Sequence, residues 1–397
     1  MKILMICDAF FETLQYQENL LTKYYLKQGH EVVIIASTYA NVFDYYAQKY
    51  NPKIAKSIEI TGKLKIIKLP FKFRILNKLN KFSKKSVMSI LTQEKPDLIY
   101  IHDIHLNILE ATKYVRSNKN CKMIMDYHAD YYNSGKNWLS INILHKIIRK
   151  YFLMQSFKYL SGIFPVVPSS TKFLNEVYGI PLSNMELLPL GADLDLAELT
   201  IKRNPRILIR EKLKIPDADI VIFTGGKLSK AKQTHKLIEA LRIISNLSYH
   251  VLIIGKAETN EDYYYSSLRE KSVDMPNIHF LGWLGGDEVY DYLNASDIAV
   301  FPASQSVLWQ QALSMGLPLI VGDVNGHNTT YLNINGAVVL LKDEFSTGEY
   351  IAKEIIRVTQ TNDELNKYKL LARETADKLL NYDKIVARTM AVRNIQL

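Results

Sequence analysis

DIAVFPASQSVLWQQALSMGLPLIVGD, Asp297–Asp323, reads as strand, loop, helix, turn and strand. Ile298–Phe301 is an apolar run of strand length. Pro302 ends it, because proline cannot donate to a ladder. Leu308–Met315 is helical in composition, Gly316 suits the helix end, and Pro318 forbids continuation. A helix that opens directly after a strand points its first N–H groups at whatever lies above the sheet edge, commonly an anion.

The same alternation extends to both ends of the chain. Strands are expected at Lys2–Cys7, Glu31–Ala36, Lys65–Leu69, Leu98–Ile101, Lys122–Asp126 and Gly162–Val166. A second set is expected at Ile220–Thr224, His250–Ile254, Ile278–Leu281, Ile298–Phe301, Leu319–Val321 and Ala337–Leu340. Helices fall between them, among them Gln17–Gln28, Gln233–Ile244, Gly286–Asn294 and Ser346–Val358. Alternation of this kind implies parallel sheets covered on both faces, an α/β architecture. Residues 181–206 carry no long periodic run and are expected to link two doubly wound domains, 1–185 and 206–375. The cleft between such domains is the default site.

Composition fits a globular chain of 397 residues, 48% hydrophobic and 23% charged. No apolar run reaches the length of a membrane span, and the N-terminus lacks the pattern of a signal peptide. Cys7 and Cys121 have no metal-ligand spacing and are expected to be buried thiols in a reducing cytoplasm. Net charge is +10 and uneven: residues 1–180 hold 26 Lys and Arg against 13 Asp and Glu. From Ile75 to Ile90 the apolar residues fall at helical spacing, with lysines on the other face. Two readings stand for this segment: a helix resting on an anionic membrane surface, or a solvated cover of the sheet. No recognition motif for nucleic acid is present.

No GxGxxG follows the first strand, and no Walker motif, GxSxG or His/Cys metal cluster occurs. The chemistry therefore concentrates on TGGKLSKAKQ, Thr224–Gln233. Gly225 and Gly226 permit close backbone approach. Lys227 and Lys232 flank a turn into a helix, and two cations beside helix N–H groups suit a diphosphate. A second anion-facing turn is expected at Ser304, Gln305, Ser306, Val307 and Leu308.

These motifs resemble those of retaining glycosyltransferases of the GT-B fold, family 4 (group 1). TGGKLSKAKQ is similar to that family's diphosphate loop, and FLGWLGGDEVYDYLNASDIAVFP (Phe280–Pro302) to the stretch running from its nucleobase-contacting strand to the donor loop. QALSMGLPLIVGD (Gln311–Asp323), LPLGAD (Leu188–Asp193) and KQGHEV (Lys27–Val32) carry the resemblance to nearly full length. It implies two Rossmann-like domains facing each other across a cleft, with the C-terminal stretch 376–397 crossing back to the first. It also implies a nucleotide-sugar donor held by Gly282, Trp283 and Gln311 as well as the loop residues above. His128, in DYHADYYNSGKN (Asp126–Asn137), would be the cleft histidine, with Asp130 and Asn133 beside it. Tyr16, Gln17 and Glu18 would lie on the acceptor side. No cofactor and no metal are expected. The implied reaction is sugar transfer, with retention, to a glycan or lipid-linked acceptor in surface-glycan synthesis, at the cytoplasmic face of the membrane.

The donor region departs from the family in one respect. The family carries two glutamates eight positions apart, and Ala303 and Gln311 occupy those positions here. An amide can still hydrogen-bond ribose hydroxyls, but it supplies no negative charge. A non-catalytic sugar-binding homologue is therefore an alternative, and a nucleotide-sugar epimerase of the same architecture is another.

Overall fold

The computed structural model describes residues 1–12, 14–75, 79–257, 262–303, 305–323 and 329–392. Ser304, Leu76 and Lys78 lie outside them. The chain divides into two compact units, Met1–Pro189 with Tyr382–Leu397, and Leu190–Asn381.

The first unit contains β1 (Lys2–Ile6), β2 (Glu31–Ser37), β3 (Ser57–Thr61), β4 (Leu64–Leu69), β5 (Phe71–Ile75), β6 (Leu79–Phe82), β7 (Leu98–Ile101), β8 (Lys122–Tyr127) and β9 (Gly162–Pro165). Seven of them form one sheet in the order β3-β4-β2-β1-β7-β8-β9. All neighbours are parallel except β3, which is antiparallel to β4 at the edge. Alternate residues of the central strands feed two separate cores. Leu4, Ile6, Ile35, Ile99 and Ile101 pack on one face; Ile3, Met5, Ile34, Tyr100 and Ile124 pack on the other. Both faces are covered, so β1 reads as a continuous apolar run rather than an alternating one.

The helix Tyr382–Met390 closes the second core, where Tyr382, Ile385 and Val386 meet Leu21, Tyr24 and Tyr25. Tyr25 Oη and Thr389 Oγ1 share a buried hydrogen bond of 2.5 Å. Thr389→Val is expected to cost about 1–3 kcal/mol in urea unfolding, the scale of an orphaned buried hydroxyl. Adding Tyr25→Phe should recover part of that loss by removing the orphan.

Two sequence expectations are corrected here. The segment expected to run as one helix from Ile75 is instead the antiparallel hairpin β5–β6, followed by a helix over Lys84–Glu94. Alternating Lys and aromatic residues satisfy a strand as well as a helix. Ser83 sets the real helix start by accepting from Ser86 N–H. The expected linker is also not loop: it holds helices Leu194–Arg203 and Arg206–Leu213, the first capped by Asp193.

The second unit contains β10 (Ile220–Gly225), β11 (Tyr249–Ile254), β12 (Ile278–Gly282), β13 (Ile298–Phe301), β14 (Leu319–Asp323) and β15 (Val338–Lys342). They form one parallel sheet in the order β12-β11-β10-β13-β14-β15. Asp297, just before β13, is a buried hub. It accepts from Arg210 at 2.6 Å, Arg206 and Lys369 at 3.1 Å, and Val221 N–H at 2.9 Å. Burial opposes its charge, yet these cations hold its carboxyl below the ordinary range. The hub ties the helix Arg206–Leu213 to β10 and β13.

In both sheets the order reverses beside the first strand of the unit: between β1 and β7, and between β10 and β13. Ligands of open α/β sheets bind at the carboxyl ends of strands at such switch points.

Candidate functional site

At the switch point of the first unit, the strand register sets Met125 beside Ile101. The next residues are therefore neighbours, Asp126 and His102. Asp126 is fully buried, and its Oδ2 takes contacts from His102 Nδ1 at 2.9 Å and Tyr100 Oη at 3.0 Å. Oδ1 accepts from Asp103 N–H at 2.9 Å. Asp103 in turn accepts from His128 N–H at 2.9 Å. His128 Nε2 stands 3.3 Å from Asp126 Oδ2, and the two imidazole rings lie 4.6 Å apart.

Burial alone would lower the pKa of His102, but Asp126, with Glu18 and Asp103, raises it from 6.5 to about 10. Asp126 is held far below the ordinary carboxylate range by both histidines, against its own burial. Glu18 moves the other way: burial raises it, while His102, a helix-start N–H and His128 restrain the shift. The group is thus an ion pair buried at a strand end, with a second carboxylate facing it.

The ligand atoms of His102, Asp126 and His128 lie within 4.8 Å of one another. Beside this group a recess is lined by Asp8, Asn80, His102, Asp103, His105 and Arg149. Asp8 is clamped by His105 Nε2 at 3.1 Å and Asn80 Nδ2 at 2.9 Å. These contacts, with Arg149, hold it below its ordinary pKa although burial works against that.

The acceptor-side residues expected from sequence divide into two kinds. Tyr16, Gln17 and Glu18 open the helix Gln17–Lys27, with Tyr16 as its N-cap residue. Gln17 is buried, and neither end of its amide has a hydrogen-bond partner among the described residues. Asp130 and Asn133 are spent inside their own loop. Asp130 accepts from Tyr132 N–H, Asn133 N–H and Ser169 Oγ, and Asn133 Nδ2 donates to the His128 carbonyl. They fix the loop that carries His128.

At the switch point of the second unit, Gly225 ends β10 and Gly226 follows with φ +113°. A side chain on Gly226 would point toward Ser306 Oγ, Lys232 and Leu308 at 3.6–3.9 Å. The diphosphate-type loop and the loop after β13 therefore meet at one place. Gly255, at the end of β11, also has positive φ (+111°), and a Cβ there would stand 1.9 Å from the Gly226 carbonyl oxygen. Only a glycine lets β11 support the loop so closely. Gly255 N–H in turn donates to Gly282 at the end of β12, and Trp283 follows, half exposed.

Lys232 lies in a short turn, Lys230–Lys232, so the following helix starts at His235 rather than Gln233. Its Nζ donates to the Gln305 carbonyl at 2.5 Å. Burial, then the nearby charge of Lys227, lowers its pKa from 10.5 to about 8. Lys227 itself is exposed. Val307 is partly exposed, Leu308 and Gln311 are buried, and Gln305 Nε2 is buried without a partner among the described residues. Two lysines crowd one glycine turn, and the buried one holds its proton less firmly than a free lysine, an arrangement that suits an anion.

The sequence motifs point to His128 and give no role to His102, Asp103, His105 or Asp126. Their grouping depends on the pairing of β7 with β8, which no local motif encodes.

Comparison with known proteins defines the class. Residues 20–196 match the family described as Glycosyltransferase Family 4, and residues 218–360 match Glycosyl transferases group 1. The glycosyltransferase from Rickettsia africae superposes with a TM-score of 0.68 at 14% identity, over 98% of this chain and 96% of that one. Anabaena HepE in complex with UDP and glucose gives 0.68 at 14% identity, over 98% of each chain. The protein therefore has the GT-B fold, built from a glycosyltransferase family 4 domain and a group 1 domain. It is 24% identical, over 79% of its length and 78% of the relative's, to an Escherichia coli enzyme. That relative is the UDP-Gal:alpha-D-GlcNAc-diphosphoundecaprenol alpha-1,3-galactosyltransferase.

Proposed function

We propose that the protein transfers a hexose from a uridine diphosphate sugar to a lipid-linked glycan acceptor, with retention, in surface-glycan synthesis at the inner face of the plasma membrane. The observation that carries this reading is the turn where Gly226, Lys232 and Ser306 meet beside the β10/β13 switch point. The names of the E. coli relative and of the Anabaena complex support the donor and acceptor classes.

In this reading Lys227 and Lys232 bind the diphosphate and stabilise it as charge develops on the leaving group. The acceptor oxygen bonds to the anomeric carbon as the bond from that carbon to the diphosphate oxygen breaks. The leaving phosphate takes the acceptor proton, so the reaction calls for no cofactor and no metal. Gly282 and Trp283 border the base, while Gln305, Ser306, Val307, Leu308 and Gln311 border the ribose and sugar. His128, backed by the Asp126 ion pair, orients a sugar hydroxyl. Tyr16, Gln17 and Glu18 face the acceptor, and Asp130 and Asn133 position the His128 loop.

The test is calorimetric titration with UDP, GDP, ADP and CMP, followed by product analysis with the matching sugar conjugates and a lipid-diphosphate glycan. Saturable binding of UDP and a new glycosidic bond are expected. Binding without transfer would favour the non-catalytic reading, to which Gln311 in place of an acid lends weight. An isomerised donor would identify an epimerase.

A further inference from the structure

A run of exposed apolar side chains lies along one helical segment of the first unit. The helical segment Ser140–Ser156 is wound with i→i+5 hydrogen bonds through Arg149 and as an ordinary α-helix after it. Its inner face is anchored: Leu144 packs with Leu79 of β6 and Leu106, and Ile148 and Phe152 pack against them. Its outer face is not. Leu139, Ile143, Ile147 and Tyr151 recur every fourth residue and are 66%, 39%, 59% and 58% exposed. Trp138 precedes them at 68% exposure. The hairpin β5–β6, which supports this helix through Leu79, exposes Phe73 and Ile75 as well. Scattered exposed apolar residues are ordinary, but a contiguous stripe with an aromatic at each end is not.

Charge decides what covers it. No Asp or Glu occurs between Asp130 and Glu176, a stretch that holds six Lys and Arg. Lys146 is exposed and Lys150 half-exposed on the same helix, Lys136 is exposed just before it, and Lys72 is exposed on the hairpin. A helix with Trp, Tyr, Ile and Leu on one face and lysines beside them lies in the headgroup plane of an anionic bilayer. By contrast, Lys81, in the segment that the sequence leaves between a membrane-facing helix and a solvated cover of the sheet, is ion-paired to Glu110.

We infer that Trp138–Tyr151 is an in-plane anchor that seats the first unit on an anionic phospholipid surface. The inference does not depend on the transfer reaction. It is tested by flotation of the full chain with vesicles of phosphatidylglycerol and phosphatidylcholine, and with phosphatidylcholine alone. The chain should float with the anionic vesicles only, and Trp fluorescence should shift to the blue. Leu139→Asp with Ile147→Asp should cut the bound fraction at least tenfold while circular dichroism and nucleotide binding stay unchanged. Lys146→Glu with Lys150→Glu should weaken binding and flatten its salt dependence. Unchanged flotation of the Asp variant would overturn the assignment. So would absence of vesicle binding together with a dimer that the Asp variant splits, which would make the face a self-interface.

Discussion

Asp126→Ala should lower stability by about 3–5 kcal/mol, the cost of breaking a buried ion pair by removing one partner. In a unit the size of the one that holds it, Met1–Pro189 with Tyr382–Leu397, that is a fall in melting temperature of about 10 °C. The carboxylate is the acceptor for Tyr100 Oη, His102 Nδ1 and Asp103 N–H, so three donors lose their partner at once. The pH dependence identifies the cause. In the folded wild type His102 keeps its proton to about pH 10, whereas the unfolded chain loses it near 6.5. The folded state therefore binds more protons across that window, and this contribution to stability is complete below pH 6.5 and lost as pH rises toward 10. Without Asp126 the burial that remains drives His102 neutral, and the contribution disappears. The difference between wild-type and Asp126→Ala unfolding free energies should accordingly shrink from pH 6 to pH 10. A difference that stays constant with pH would show that Asp126 acts only as a neutral hydrogen-bond acceptor. Transfer should fall with the variant even where it is fully folded, because Asp103 and His128 lose their support.

The second large effect is expected at Lys232. Lys232→Met should weaken nucleoside diphosphate binding by about 1–3 kcal/mol, the scale of a lost charge-assisted hydrogen bond. The free protein should lose little: the variant gives up the bond to the Gln305 carbonyl, but burial makes this charge unfavourable, so the apo variant should melt close to the wild type. Linkage gives a further signature. A bound diphosphate favours the charged amine, so the complex holds a proton that the free protein releases above about pH 8. Affinity should fall as pH rises through that value, and binding at pH 9 should take up protons, visible as a binding enthalpy that changes with the buffer.

Much of this architecture can be read from the chain because both sheets are covered on both faces. Strands such as Ile3–Ile6 and Ile298–Phe301 are then uninterrupted apolar runs with a breaker after them. The edges are harder. Residues 57–61 of β3 are largely exposed and carry no apolar run, and the β5–β6 hairpin presents a Lys-rich alternation that also fits a helix. The helix Ser140–Ser156 is apolar on both its inner and outer faces, which in sequence resembles a buried helix rather than an anchored one.

The two candidate sites, one in each unit, differ in the same way. The turn at Thr224–Gln233 is local, so its glycines and lysines announce themselves. The His102–Asp126–His128 group is assembled across two strands by register, and only the first unit's sheet brings it together. Gln311 lies between: its position is recognisable by its motif, while the burial of its amide shows only in the fold.

The most direct test is calorimetric titration of UDP into the wild type and Lys232→Met at pH 7 and pH 9. The expected result is saturable binding by the wild type, about ten- to a hundredfold weaker in the variant, with proton uptake at pH 9 in the wild type alone. Equal affinity for the two proteins would contradict the account, because it would place the diphosphate away from the Gly226–Lys232–Ser306 turn.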